Sequence, residues 1–158
     1  MTLKQEQGEL CTFELDGLLF GIDVQQTQEI ITDQPVTPVP LAAHMVRGLI
    51  NLRGQIVTAI DLRECLGLAA RPEGSRMVNL IVQHEGEPVS FLVDRMGDVI
   101  SVDGSMFEPS PETLDRAVIE LIRGACKLSD RLLLILDAGQ IVRHAAALHA
   151  APLSAATA

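Results

Sequence analysis

Between the apolar runs of the stretch Arg47 to Leu62 stands a central Arg53-Gly54. A two-residue break ending in glycine between β-rich runs is a hairpin signal, so the stretch reads strand, tight turn, strand, with Arg53 on the tip. Its planar guanidinium stays charged and offers five donors, which suits recognition of a partner; the plainer reading is a solvated turn residue. Asp23, Asp61, Asp94 and Asp137 each follow an apolar run. Buried carboxylates can do acid-base work, but strand-end turns recruit Asp for local backbone hydrogen bonds, and these four read as structural. Glu29 stands in a polar break before Ile30-Ile31, where a solvated glutamate is the alternative to a functional one.

Catalysis finds no other constellation. There is no Gly-x-Ser-x-Gly elbow, no Gly-x-x-x-x-Gly-Lys phosphate cradle and no Gly-x-Gly-x-x-Gly. His44, His84, His144 and His149 lack metal-ligand spacing; His144 and His149, if helical, face different ways. Cys11, Cys65 and Cys126 are odd in number and far apart, which fits buried thiols in a reducing compartment rather than a disulfide frame or a zinc site. No catalytic residue, metal or cofactor is expected.

The elements that must carry Arg53 and Glu29 follow from the rest of the chain. Its 158 residues suit one domain or two small subdomains, and 47% hydrophobic content suffices for a core. A formal charge of -9 argues against a nucleic-acid partner, and 3% aromatics with no Trp or Tyr argue against base stacking. No apolar run approaches the roughly 18 residues that span a bilayer, and the N-terminus lacks signal-peptide character, so a cytoplasmic protein without membrane insertion is expected.

Residues 1–9 are polar and read as flexible. Leu10 to Leu15 and Leu18 to Val24 read as strands around an Asp16-Gly17 turn, and Gln25 to Thr32 as a connection leading into strand, with a short helical turn as the alternative. Pro35, Pro38 and Pro40 exclude helix and central strand before the Arg53 hairpin. Leu62 to Leu68 read as two helical turns, Ala69 to Ser75 as loop. Met77 to Val82 and Val89 to Val93 form a hairpin around Glu85-Gly86, and Gly97 to Val102 follows. After a loop holding Pro109 and Pro111 comes a run from Ala117 to Gly124, then a last strand, Leu132 to Leu136. Ile141 to Ala151 is helix-prone, and residues 144–158 read as a helical or disordered tail.

The chain also resembles itself. A displacement of 76 lays Pro35 on Pro111, Arg47 on Arg123, Gly48 on Gly124, Leu52 on Leu128 and Asp61 on Asp137; one of 71 lays Phe20 on Phe91 and Asp23 on Asp94. The halves, about 10–68 and 77–143, predict two packed five-stranded β-barrels, closed so that edges vanish, with strands exchanged between them as one option. Where the first half has Arg53-Gly54, the second has Ser129-Asp130, so the arginine is not what the repeated architecture requires.

Asn51-Leu52-Arg53-Gly54 followed by Ile60-Asp61-Leu62 resembles the Asn-Leu-Arg-Gly and Asp-Leu signature of the CheW family of bacterial chemotaxis coupling proteins. Phe20-Gly21-Ile22, Glu29-Ile30, Val39-Pro40, Val46-Arg47-Gly48, Val93-Asp94 and Leu136-Asp137 extend the likeness in family order over residues 10–143. The resemblance implies an all-β fold of two SH3-like five-stranded barrels sharing a core, with short helical segments, and no catalysis. It implies an adaptor, a monomer on its own and part of large signalling arrays, joining the cytoplasmic tips of chemoreceptors to the regulatory domain of the histidine kinase CheA. Arg53 and Glu29 then face the receptor as a pair or jointly, Asn51 and Gly54 hold the hairpin, and Thr27 and Val93 line a groove for the receptor helix. Thr58 stands where the family usually has proline, and Ala59 is smaller than usual. The alternative reading is a small β-barrel that binds a protein or ligand outside chemotaxis.

Overall fold

Three dipeptides fold the chain back on itself. Asp16-Gly17, Arg53-Gly54 and Glu85-Gly86 all have positive φ, with the non-glycine residues at 52–53° and the glycines at 80–89°. Paired positive φ values give the two-residue turn whose twist matches that of the flanking strands. They join β1 (Gly8–Leu15) to β2 (Leu18–Asp23), β4 (Val46–Leu52) to β5 (Gln55–Asp61), and β6 (Val78–His84) to β7 (Glu87–Val93). The computed structural model describes residues 8–40 and 42–146.

A 3-10 turn, Val24–Gln26, leads from β2 into β3 (Thr27–Thr32). After β5 comes α1 (Leu62–Cys65), whose first N–H groups are capped by Asp61; its Oδ1 accepts from Arg63 N at 3.0 Å. The second part of the chain adds β8 (Arg95–Val102), the two-residue β9 (Phe107–Glu108), α2 (Arg116–Ile119), β10 (Ile122–Lys127), β11 (Leu132–Leu136) and a helix α3 over residues 138–146. The run expected from Ala117 to Gly124 is thus divided between a helical turn and a strand. Gly8 and Glu9, expected to be loose, pair with Val102 and Ser101, and α3 starts three residues before the expected Ile141. Residues 1–7 and 147–158 of the expected terminal segments lie outside the described residues.

The strands form two sheets, in the orders β8-β1-β2-β11-β10-β9 and β3-β6-β7-β5-β4. Each is an SH3-like barrel, the first carrying the short β9 as a sixth strand. Among the described residues no ladder closes either barrel, so edges remain, contrary to the expected closure. β1 and β2 sit with β8 and β11, while β3, β4 and β5 sit with β6 and β7; each sheet therefore takes strands from both halves of the internal repeat. β4 and β10 share an irregularity, a register slip between Val46 and Gly48 and another between Ile122 and Gly124. Asp61 N donates to Met45 O, and Asp137 N to Leu121 O, at 2.8 and 2.9 Å.

The central strands are buried on both faces. Phe13, Leu15, Phe20, Ile22, Leu80, Val82, Phe91 and Val93 meet in a core shared by the two sheets, closed by Leu62 and Ile141. Their alternate neighbours turn inward: Leu10, Leu133 and Ile135 into one barrel, Ile81, Leu92 and Val57 into the other. That is why these strands read as continuous apolar runs. The Phe13 and Phe20 rings stack with centroids 6.1 Å apart, and full burial of such side chains stabilises by about 1.5–3 kcal/mol each.

Charges buried at the side of this core pin α1 and the loop after it. Asp94 receives Arg63 Nε at 3.0 Å and Nη2 at 2.5 Å, Arg71 Nη2 at 3.0 Å and the backbone N–H of Asp16 at 2.8 Å. Asp61 pairs with Arg47 and, at 3.2 Å, with Arg71. Arg63 Nη1 also donates to Ala69 O and Ala70 O. The edge of β4 is covered by a two-way backbone bridge between Thr37 and Leu49, with both N···O distances 2.8 Å.

That cover needs a glycine, since a Cβ on Gly48 would fall 2.2 Å from Thr37 O. Gly48→Ala is expected to cost about 2 kcal/mol or more in urea unfolding, by forcing the two segments apart. Burial opposes ionisation of Asp94, but Arg63, the Asp16 N–H and Arg71 outweigh it and hold its carboxyl below the usual range. A carboxylate depressed on folding adds stability that is present above its unfolded pKa of about 3.9 and is lost as pH falls through the lower folded value. Asp94→Asn should therefore flatten the loss of stability below about pH 4. It should also cost about 3 kcal/mol at neutral pH by leaving Arg63 and Arg71 underpaired; an unchanged acid limb in pH-dependent urea melts would contradict this.

Candidate functional site

The turn at Arg53-Gly54 asks for residues that tolerate positive φ, and Asn or Asp meets that demand more readily than arginine. The other two hairpins place Asp16 and Glu85 at the equivalent point. Arginine at φ 52° is held by its surroundings: Asn51 Oδ1 accepts from Gly54 N at 2.8 Å and closes the turn from within the hairpin. Gln34 Nε2 donates to Asn51 O at 3.2 Å.

The guanidinium reaches across to Glu29 on β3. Nη1 donates to Oε1 at 3.2 Å and Nη2 to Oε2, a two-pronged pair with planar complementarity. β3 and β4 lie at opposite ends of their sheet, so this pair and the Gln34–Asn51 bond span the open seam of the barrel with side chains. Gln28 Nε2 adds a donor to Glu29 at 3.3 Å, and Gln83 in turn donates to Gln28. Hydrogen bonding to Arg53 holds the Glu29 carboxyl below the usual carboxylate range against the desolvation that raises it, and Glu29 pushes Arg53 up. Both are charged at neutral pH, and the arginine side chain remains 67% exposed, with donors free for a partner.

Of the residues read from the sequence, Arg53, Glu29, Asn51 and Gly54 therefore come together. Thr27 opens β3 two residues before Glu29, half-buried, its hydroxyl donating to Val24 O at 2.7 Å. Val93 does not join them. It has 0% exposure and packs with Phe91 in the shared core, while its neighbour Leu92 faces the barrel interior, so this end of β7 offers no surface on either face. The expectation that Val93 lines a groove is corrected on that ground. One candidate went unread: Ile56, opposite Asn51 in the hairpin register, is 62% exposed. An apolar residue on the outward register of a hairpin tip was the available signal.

Among the described residues no cysteine or histidine hydrogen-bonds to the pair. Burial pushes the Cys65 thiol up to about 12, with Asp61 and Glu64 adding to it, and the Cys126 thiol up to about 11. Among the described residues no group of three or more His, Cys, Asp or Glu side chains is placed to hold a metal ion. No helix of the described residues is long and apolar enough to cross a membrane. What the hairpin tip presents is an exposed guanidinium paired with a carboxylate, and an exposed isoleucine beside them.

Comparison with known proteins gives a consistent match over this framework. The CheW-like domain family matches residues 9–146. The chemotaxis protein CheW of Treponema pallidum is 30% identical over 141 residues, covering 87% of this chain and 83% of that protein. That of Bacillus subtilis is 32% identical over 143 residues, covering 90% and 92%. The crystal structure of the scaffolding protein TtCheW from Thermoanaerobacter tengcongensis superposes with a TM-score of 0.76 at 28% identity, over 86% of this chain and 92% of that one. With one family spanning both sheets, the hairpin tip and the pair across the seam, the chain belongs to the CheW-like domain family.

Proposed function

We propose that this protein is a chemotaxis adaptor that joins the cytoplasmic tips of chemoreceptors to the regulatory domain of the histidine kinase CheA, so that receptor state controls kinase activity. The observation that carries this reading is the family match over residues 9–146, shared with proteins named for chemotaxis and scaffolding. It acts by binding and without catalysis, in the cytoplasm, as a monomer until receptor arrays recruit it.

In this reading the receptor meets the hairpin tip. Arg53 supplies the donors, Glu29 holds the guanidinium in one orientation, and Asn51 and Gly54 keep the turn that presents it. Thr27 borders the contact on β3, and Ile56 adds apolar area beside it. Orienting an arginine in advance lowers the entropy lost on binding, which favours a paired guanidinium over a free one. Thr58, half-buried opposite Leu49, keeps an N–H in a strand that has neighbours on both sides, where a proline would have none.

A pull-down with a receptor cytoplasmic fragment and the CheA regulatory domain should retain both, and failure to bind either sinks the reading. Arg53→Ala is expected to weaken receptor binding by about tenfold or more, the scale of a lost charge-assisted contact, at an unchanged melting temperature. Parallel losses of binding and of thermal stability would make Arg53 structural instead.

A further inference from the structure

Away from the hairpin tip, a cleft of about 460 Å³ is lined by Glu14, Gly17, Arg63, Arg71, Pro72, Ser75, Arg76, Asp94 and Arg95. Four guanidinium groups face two carboxylates there. Bringing in the neighbours, Arg47 and Arg131 with Asp16, Asp61 and the exposed Glu73 of the same loop, leaves a surplus of one positive charge. In a chain of net charge -9 this is a concentration of half its twelve Lys and Arg side chains at one place.

We propose that this cleft docks an acidic segment of a partner protein, its carboxylates seated between Arg76 and Arg95 over the Arg63–Asp94–Arg71 floor. Three observations support it. Among the described residues Arg76 is exposed and has no ion-pair partner, so its charge is available. Arg95 is 72% exposed and bound only to Glu14, at 2.8 Å, a pair that an incoming carboxylate can exchange. Arg71, by contrast, has a side chain only 5% exposed, and its buried Nε–H has no acceptor among the described residues, so this guanidinium holds bonding capacity that its present partners do not fill.

The wall is also preorganised. The loop Ala69 to Ser75 is tied down by Arg63 at two carbonyls and by Arg71 at two carboxylates, so docking has little loop to order. Arginine binds phosphate as well as carboxylate, but compact phosphate sites commonly add helix N-terminal or nest N–H groups, and the N-terminus of α1 is already occupied by Asp61. Guanidinium groups spread along an open cleft fit carboxylates spaced along a chain. The proposal does not rest on the adaptor reading and shares no residue with the Arg53 surface.

The test is an amide chemical-shift titration of the full chain with blocked hexaglutamate at about 0.02 M ionic strength, where screening is weak. Because the protein's own charge repels this probe, binding must be local. Shifts confined to residues 14–17, 71–76 and 94–95, weakened about tenfold by Arg76→Glu at an unchanged melting temperature, are expected. Arg53→Ala should leave the titration as in the parent, which separates this site from the receptor contact. Absent or scattered shifts, shifts indifferent to Arg76→Glu, or equal affinity for inorganic phosphate would overturn the proposal.

Discussion

Every central strand of this molecule must bury two faces at once. With Phe13, Phe20, Phe91 and Val93 on one side and Leu10, Leu133, Ile81 and Leu92 on the other, the central stretches of these strands are closed to water on both faces, and exposure is left to strand ends such as Leu18, Ile56 and Leu132. A register slip of one residue would exchange the shared core for a barrel interior of different shape, so the pairing is doubly specified. Polar function is thereby driven to the ends of strands, and Arg53, Glu29 and the arginine cleft all lie at turns, edges or loops.

The buried charges answer a related constraint. α1 is a single turn, too short to stand by its own hydrogen bonds, and the loop after it has little apolar content to hold it. Arg63 and Arg71 hold both against the strand ends through Asp61 and Asp94. Removing one carboxylate from such a set leaves buried positive charge uncompensated, which makes the network a fixed support rather than a source of surplus stability.

What could be read in advance divides along the same line. The turns Asp16-Gly17, Arg53-Gly54 and Glu85-Gly86 were legible because their chemistry is local, and Leu132 to Leu136 because five apolar residues ended by Asp leave little choice. β3 was ambiguous, since its alternation of half-buried and exposed residues at a sheet edge carries a weak signal. Val93 was assigned to a groove by the family resemblance alone, and an apolar residue in a two-faced strand does not by itself announce which core it enters. The meeting of Arg53 with Glu29, 24 residues away, and of Arg71 with Asp94 depends on sheet curvature and loop path, which no spacing encodes. For Arg53 and Glu29 the family resemblance supplied what local pattern lacked.

The placement of β1 and β2 in the sheet of β8 and β11 has a consequence for how the chain is made. Leu10 pairs with Ile100, and Leu19 with Leu133, so the β1–β2 hairpin has its sheet neighbours 90 and 114 residues further along the sequence. At synthesis rates of about 5–20 residues per second, it waits roughly ten seconds for them. Through that interval Phe20 and Ile22 can be covered from the shared core by Leu80 and Phe91, while Leu10 and Leu19 still lack the rest of their barrel. The β1–β2 hairpin thus waits for its own sheet, whereas β3 to β7 follow one another along the sequence and can pair without it, so the two barrels are not completed at the same moment.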